Sequence, residues 1–128
     1  MKYIYDTNIF IYYLAGDEIV SEYFSSHFLN NNYVVISPIV RIELLCFSDL
    51  SNDDAVVIED LLSQFDSIPI SRNIENQAIA LKRQKKIKLP DAIIAATAIC
   101  EGAILVTRNL NDFRGFTELL LDNPFGDE

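Results

Sequence analysis

Lys2-Tyr3-Ile4-Tyr5-Asp6-Thr7-Asn8-Ile9-Phe10 opens the chain with a short β-branched and aromatic run that ends on an acid and passes directly into a helical pattern. Buried parallel strands read as near-continuous apolar runs, and residues 2 to 5 share that character with Tyr33-Val34-Val35-Ile36. Short runs near 68 to 70 and 103 to 106 look similar, and a last strand is expected near Leu119-Leu120-Leu121. Between them lie helical patterns at roughly 8 to 14, 18 to 30, 38 to 48, 52 to 66, 72 to 86 and 90 to 101. Strands alternating with helices specify an α/β fold on a parallel sheet.

The 128 residues suit one domain, 1-128, with a mobile acidic tail from about 122. Half the residues are hydrophobic, and the four glycines and four prolines are spread out, which excludes a disordered or low-complexity chain. The longest apolar stretches fall well short of a membrane span. Asp6, Thr7 and Asn8 interrupt what would otherwise imitate the apolar region of a secretory signal, so a cytoplasmic location is expected. Cys46 and Cys100 lie inside apolar helical patterns without metal-ligand spacing and are expected to be reduced, buried thiols.

Acids recur where the strand-like runs end or the next helices begin. Asp6 follows residues 2 to 5, Glu43 lies past Ser37-Pro38, Asp91 follows Leu89-Pro90, and Asp112 lies beyond Ile104-Leu105-Val106. Open α/β sheets bind ligands outside the carboxyl ends of their strands, so these positions are read as one site. Each acid also has a plain structural role available. Asp6 can cap the helix that follows it, and capping does not exclude a ligand role. Glu43 shares a helix face with Ile39, Cys46 and Phe47 while Arg41 points away, so its carboxylate needs a cation, a proton or hydrogen-bond donors. Asp91, second in its helix, suits the macrodipole and also sits at the entry to a nearly all-apolar segment. Thr107, Asn109 and Asp112 fit ordinary turn chemistry or the completion of an oxygen shell. Such a shell suits Mg²⁺ or Mn²⁺.

A net charge of −9 and a pI near 4.4 oppose simple electrostatic wrapping of nucleic acid. Five of the ten basic residues nevertheless fall together, Lys82, Arg83, Lys85, Lys86 and Lys88, just before Asp91. They read equally as a phosphate-backbone patch or as cations complementing a helix C-terminus. His27 is the single histidine, which excludes paired-histidine acid-base catalysis, and it is expected at the surface or an interface. No nucleophile elbow and no phosphate-cradling glycine loop is present. Tyr12, Tyr13, Tyr23, Phe24 and Phe28 can face either a partner or the core.

Tyr5-Asp6-Thr7-Asn8-Ile9-Phe10, Ser37-Pro38-Ile39-Val40-Arg41-Ile42-Glu43-Leu44-Leu45, Leu89-Pro90-Asp91-Ala92-Ile93-Ile94-Ala95-Ala96-Thr97-Ala98, and Thr107-Arg108-Asn109 with Asp112-Phe113 resemble, in order, the motifs of PIN-domain proteins. At this size the chain resembles the VapC family of type II toxin-antitoxin toxins. The resemblance implies a three-layer α/β/α fold with a short, mostly parallel central sheet. It implies a Mg²⁺- or Mn²⁺-dependent endoribonuclease, often a homodimer, held inactive by an antitoxin encoded beside it. On matching positions, Asp6 and Asp91 would be the principal metal ligands, and Glu43 would help position metal or attacking water. Asn109 with Asp112 would complete the acidic pocket, Asp112 as a further ligand. Many relatives carry Asp where this chain has Asn109, so one firmly bound metal is expected, with a second recruited by substrate. Products would carry 5′ phosphate and 3′ hydroxyl ends. A PIN-like module that binds RNA or protein without cutting stays open at this stage. A receiver-type signalling domain is disfavoured, because Asp6 has no adjacent acid and the run ending Ile68-Pro69-Ile70-Ser71 offers no acceptor aspartate.

Overall fold

The structure is a computed structural model and describes residues 1–126. Among these residues five strands, β1 (Lys2–Tyr5), β2 (Tyr33–Ile36), β3 (Asp66–Ser67), β4 (Ile104–Val106) and β5 (Leu120–Asp122), form one sheet in the order β3-β2-β1-β4-β5. Every neighbouring pair is parallel. The chain therefore builds outward from β1 to β3 on one side, then crosses back to lay β4 and β5 on the other. The order reverses between β1 and β4, which is where an open α/β sheet leaves a crevice at its carboxyl edge.

The helices are α1 (Thr7–Leu14), α2 (Glu18–Ser21), α3 (Ser26–Asn31), α4 (Pro38–Leu45), α5 (Asn52–Leu62), α6 (Arg72–Gln84), α7 (Leu89–Glu101) and α8 (Leu110–Phe113). Their starts follow local chemistry. The side chains of Asp6, Ser37, Ser51 and Ser71 accept hydrogen bonds from first-turn N–H groups of α1, α4, α5 and α6, and Pro38 sits in the first turn of α4. Gly102 ends α7 at φ +63°, in the left-handed region where a side chain is strained, and its N–H closes on the Ala98 and Ile99 carbonyls.

Alternate residues of a strand face opposite sides of a sheet, and Ile4 and Tyr5 of central β1 are both fully buried, so both faces are covered. On one face the Tyr5 ring meets Phe10, Phe24 and Phe65 edge-on or tilted at centroid distances of 5.3 to 6.0 Å. Tyr5 also donates its hydroxyl to the Tyr23 carbonyl at 2.5 Å, which satisfies its buried oxygen. Tyr13 stacks on Phe24 at 4.1 Å, and Tyr23 and Phe28 pack together at 5.1 Å. The aromatic residues that could have faced a partner thus pack on the core, Tyr12 included. Buried Ala92, Ala95, Ala96 and Ala98 let α7 approach β1 and β4 closely.

Several sequence expectations are corrected. The third strand is Asp66–Ser67, not 68 to 70, because Pro69 has no N–H to extend the ladder beyond the Ile68 N–H bond to the Ile36 carbonyl. It is a short polar edge strand, which an apolar-run criterion overlooks. The segment 18 to 30 is not one helix: Ser25 takes an extended conformation and caps α3, leaving α2 and one 3-10 turn, Glu22–Phe24, before it. Helices expected to reach 48 and 66 stop at Leu45 and Leu62. Cys46 and Cys100 are exposed, not buried, because Cys46 is the C-cap of α4 and Cys100 lies in the last turn of α7. The segment from 122 has more to hold it than expected, since Asp122 ends β5 and accepts the Tyr23 hydroxyl at 2.9 Å. Phe125 packs on Tyr12 at 5.2 Å, and residues 127 and 128 of the expected tail lie outside the described residues. His27 is exposed, as expected. No helix among the described residues is long and apolar enough to cross a membrane.

Phe10 is wholly buried against three other rings, so Phe10→Ala should cost about 3–5 kcal/mol in urea unfolding. A loss below about 1 kcal/mol would show that this aromatic cluster does not hold the sheet.

Candidate active site

The carboxyl edge of β1 leads straight into α1, and the turn between them puts Asp6 beside the crevice left between β1 and β4. Asp6 is 6 % exposed. Its two oxygens are held separately: Oδ1 accepts the Asn8 N–H at 2.6 Å, and Oδ2 accepts the Thr107 hydroxyl at 2.6 Å. Thr107, directly after β4, is fully buried, and its oxygen accepts the Asn109 N–H at 3.0 Å. The strands on either side of the reversal are thereby tied together through one carboxylate.

Glu43 comes from α4 and is half-buried, and its Oε1 accepts the Thr7 hydroxyl at 2.6 Å. Arg41 faces away, as its position on the helix predicts, and makes a two-pronged exposed pair with Glu59 at 2.7 and 2.8 Å. Asp91 lies in the first turn of α7, one place further in than expected because the helix begins at Leu89. Asp112 is in α8, an element the sequence reading did not anticipate, and its Oδ2 accepts the Asn109 amide at 2.6 Å.

Asp6, Glu43, Asp91, Asn109 and Asp112 all line one open cavity of about 360 Å³, together with Thr7, Asn8, Pro90, Ile94 and Lys88. All five residues singled out from the sequence are therefore brought together. Cys46 and Phe47 also line it, the Cys46 thiol donating to the Glu43 carbonyl at 3.4 Å. Sequence reasoning missed the part of Thr7, whose hydroxyl fixes Glu43 and whose signal was its place beside Asp6. Lys88, read from the sequence within the basic run before Asp91, is the one cation among the lining residues.

The acids act on one another. Burial raises the pKa of Asp6 and neighbouring Glu43 raises it further, against the lowering effect of the bonds from Thr107 and Asn8. Asp91 is pushed up to about 6, first by burial and then by Asp6, Asp112 and Glu43, with Lys88 opposing. Among the described residues no three Asp, Glu, His or Cys side chains close into a ready-made metal cage. The arrangement is an open acidic bowl whose charges are held apart.

A PIN domain model matches residues 3–118, nearly the whole chain. The chain belongs to the PIN-domain family. Ribonuclease VapC2 of Rickettsia felis is 30% identical over 133 aligned residues, covering 96% of this chain and 98% of that protein, which places the chain among the VapC members of the family. A toxin-antitoxin complex from Klebsiella pneumoniae contains a chain 31% identical, with a TM-score of 0.79 and coverage of 95% of this chain and 97% of that one. The VapBC-1 structure from nontypeable Haemophilus influenzae is 28% identical with a TM-score of 0.81, over 98% and 99% of the two chains. The five-stranded parallel sheet and its helices are thus the PIN fold, as the resemblance implied.

Because Asp91 holds its proton more tightly in this PIN fold than in the unfolded chain, its contribution to stability is present below about pH 4. It is lost as the pH rises through about 6. Without divalent ions, Asp91→Asn should therefore be more stable than the parent at pH 7, on the order of 1–2 kcal/mol after solvent screening, with the gap closing near pH 4. Urea unfolding across that range checks it, and a gap independent of pH would refute the raised pKa of Asp91.

Proposed function

We propose that this protein is a Mg²⁺- or Mn²⁺-dependent endoribonuclease, the toxin of a toxin-antitoxin pair. The observation that carries the reading is the convergence of four carboxylates on one open cavity at the sheet reversal, in a chain of the VapC family. The donor set fits a hard divalent cation. Carboxylate oxygens predominate, an amide stands beside them, and the burial and neighbouring negative charge that raise Asp6 and Asp91 are offset by added positive charge. Mg²⁺ keeps several waters and needs only one or two carboxylates, which suits acids that do not close into a cage.

Asp6 and Asp91 would hold the ion, with Glu43 and Asp112 reaching it directly or through water. When bound, such an ion lowers the pKa of a water and offsets charge on a phosphodiester. The chain's own residues do the positioning. Thr107 and Asn8 fix both oxygens of Asp6, so that carboxylate does not swing out when the cavity fills. Thr7 orients Glu43, whose unshielded oxygen can accept a proton from an attacking water. Asn109 holds Asp112 and adds no charge of its own, which favours one resident ion over two.

The Klebsiella pneumoniae relative is found in a toxin-antitoxin complex, and a protein antitoxin is the corresponding partner here.

Purified chain, freed of any bound partner, should cut host RNA at discrete positions with Mn²⁺ and not with EDTA, leaving 5′ phosphate ends. Asp6→Asn should lose more than about 100-fold of that activity, the ceiling for a merely supporting residue of a metal site, while its circular dichroism stays native. Cyclic phosphate ends, or cutting retained in the variant, would overturn the mechanism. No cutting by folded, metal-binding protein would point to a module that binds without hydrolysis.

A further inference from the structure

The basic run before Asp91 divides into two kinds of residue. Lys82 donates from Nζ to the Ile87 carbonyl at 2.6 Å, and Lys85 donates to the Arg114 carbonyl and lies 4.8 Å over the Phe116 ring. Those two ammonium groups fasten the loop between α6 and α7 from both sides. Lys86 and Lys88 are exposed, and the ion pairs among the described residues, Lys2 with Glu101, Arg41 with Glu59 and Arg72 with Glu75, involve neither. Both line a second cavity of about 220 Å³ with Ile87 and Asp112. Lys88 and Asp112 also line the carboxylate cavity, so the two cavities adjoin across these residues.

We propose that Lys86 and Lys88 form a subsite for a backbone phosphate of single-stranded RNA, next to the phosphate presented to the carboxylates. The proposal rests on the nuclease reading above and adds to it the residues that grip the strand. A polyanion approaching a chain of net charge −9 meets repulsion at long range, and its approach to the acidic bowl is the worst part of the path. Two ammonium groups at the rim offset that repulsion where it is largest. The loop that carries them is already fixed by Lys82 and Lys85, so little ordering cost remains when a strand binds. A single strand can bend one phosphate into the bowl and its neighbour onto this shelf, whereas a regular duplex presents its backbone on a fixed helix.

The test is binding of a short single-stranded oligoribonucleotide, measured as a function of salt, in the Asp6→Asn chain and again in the parent with EDTA. Lys86→Gln with Lys88→Gln should lower the slope of log affinity against log salt by about 0.7 for each lysine removed. Arg72→Gln, which removes an exposed charge at the start of α6, away from the loop, should leave the slope unchanged. Equal effects from Arg72→Gln and the lysine pair would overturn the subsite and leave only net charge. A wild-type slope in the double variant, or no measurable RNA binding by the parent, would also overturn it. If the parent cuts RNA yet the double variant keeps its slope, the subsite falls and the nuclease stands. If no RNA is cut but the slope falls as stated, the nuclease reading fails and the RNA subsite stands.

Discussion

Repulsion among like charges at one edge of the sheet is the constraint around which the rest of this structure is arranged. Asp6, Glu43, Asp91 and Asp112 surround one cavity, and burial first, then the charge of the other three acids, pushes the pKa of the Asp91 carboxyl up to about 6. The neighbours that fix these acids are almost all neutral. Thr107 and Asn8 hold Asp6, Thr7 holds Glu43, and Asn109 holds Asp112. Hydroxyl, amide and backbone N–H donors set geometry without cancelling charge. The ion pairs among the described residues that could have neutralised acids occur elsewhere, on Glu101, Glu59 and Glu75. The protein thus fixes Asp6, Glu43 and Asp112 in place through neutral donors.

Holding that charge requires a frame that does not yield, and the topology supplies it. The order β3-β2-β1-β4-β5 puts the reversal beside the most buried strand, where Ile4 and Tyr5 have no exposure. The Asp6 N–H bonds the Val106 carbonyl at 3.0 Å, and the Thr107 N–H bonds the Asp122 carbonyl at 3.0 Å. Both groups that meet at Asp6 Oδ2 are therefore anchored by the ladder just before they leave it. Asp122 in turn accepts the Tyr23 hydroxyl, so the edge strand is fastened to the aromatic cluster beneath.

This division explains what could be read from the chain and what could not. The apolar runs of β1, β2 and β4 were legible because buried parallel strands are continuous in hydrophobicity. The ends of α4, α5 and α7 were marked by Ser37, Ser51 and Gly102, whose side chains or lack of one have direct local roles. β3 was not legible, because two exposed polar residues pair at the edge for want of any alternative partner. Nor was α8, a single turn between β4 and Phe113 with no side-chain cap. The acids that line the bowl were visible as strand-end positions, since the carboxyl edge of a sheet is a place that sequence order alone defines. The hydrogen bonds that orient them were not, because Thr7 to Glu43 and Thr107 to Asp6 span 36 and 101 residues and depend on how the strands assemble.

The basic run shows why composition is a poor guide to electrostatics in a folded chain. On the sequence its lysines are equivalent, and the choice between a phosphate patch and a helix end is open. In the fold they separate by geometry. Lys82 and Lys85 bond carbonyls of the loop and of the segment after α8, and their charge serves the shape of that loop. Lys88 caps α7 by position, and it lowers the pKa of Asp91 while three acids raise it. A positive group thus stands at the mouth of a negative bowl, on a chain whose total charge is strongly negative. Local sign, and not the sum, is what the cavity presents: four carboxylates line it, and Lys88 stands beside them.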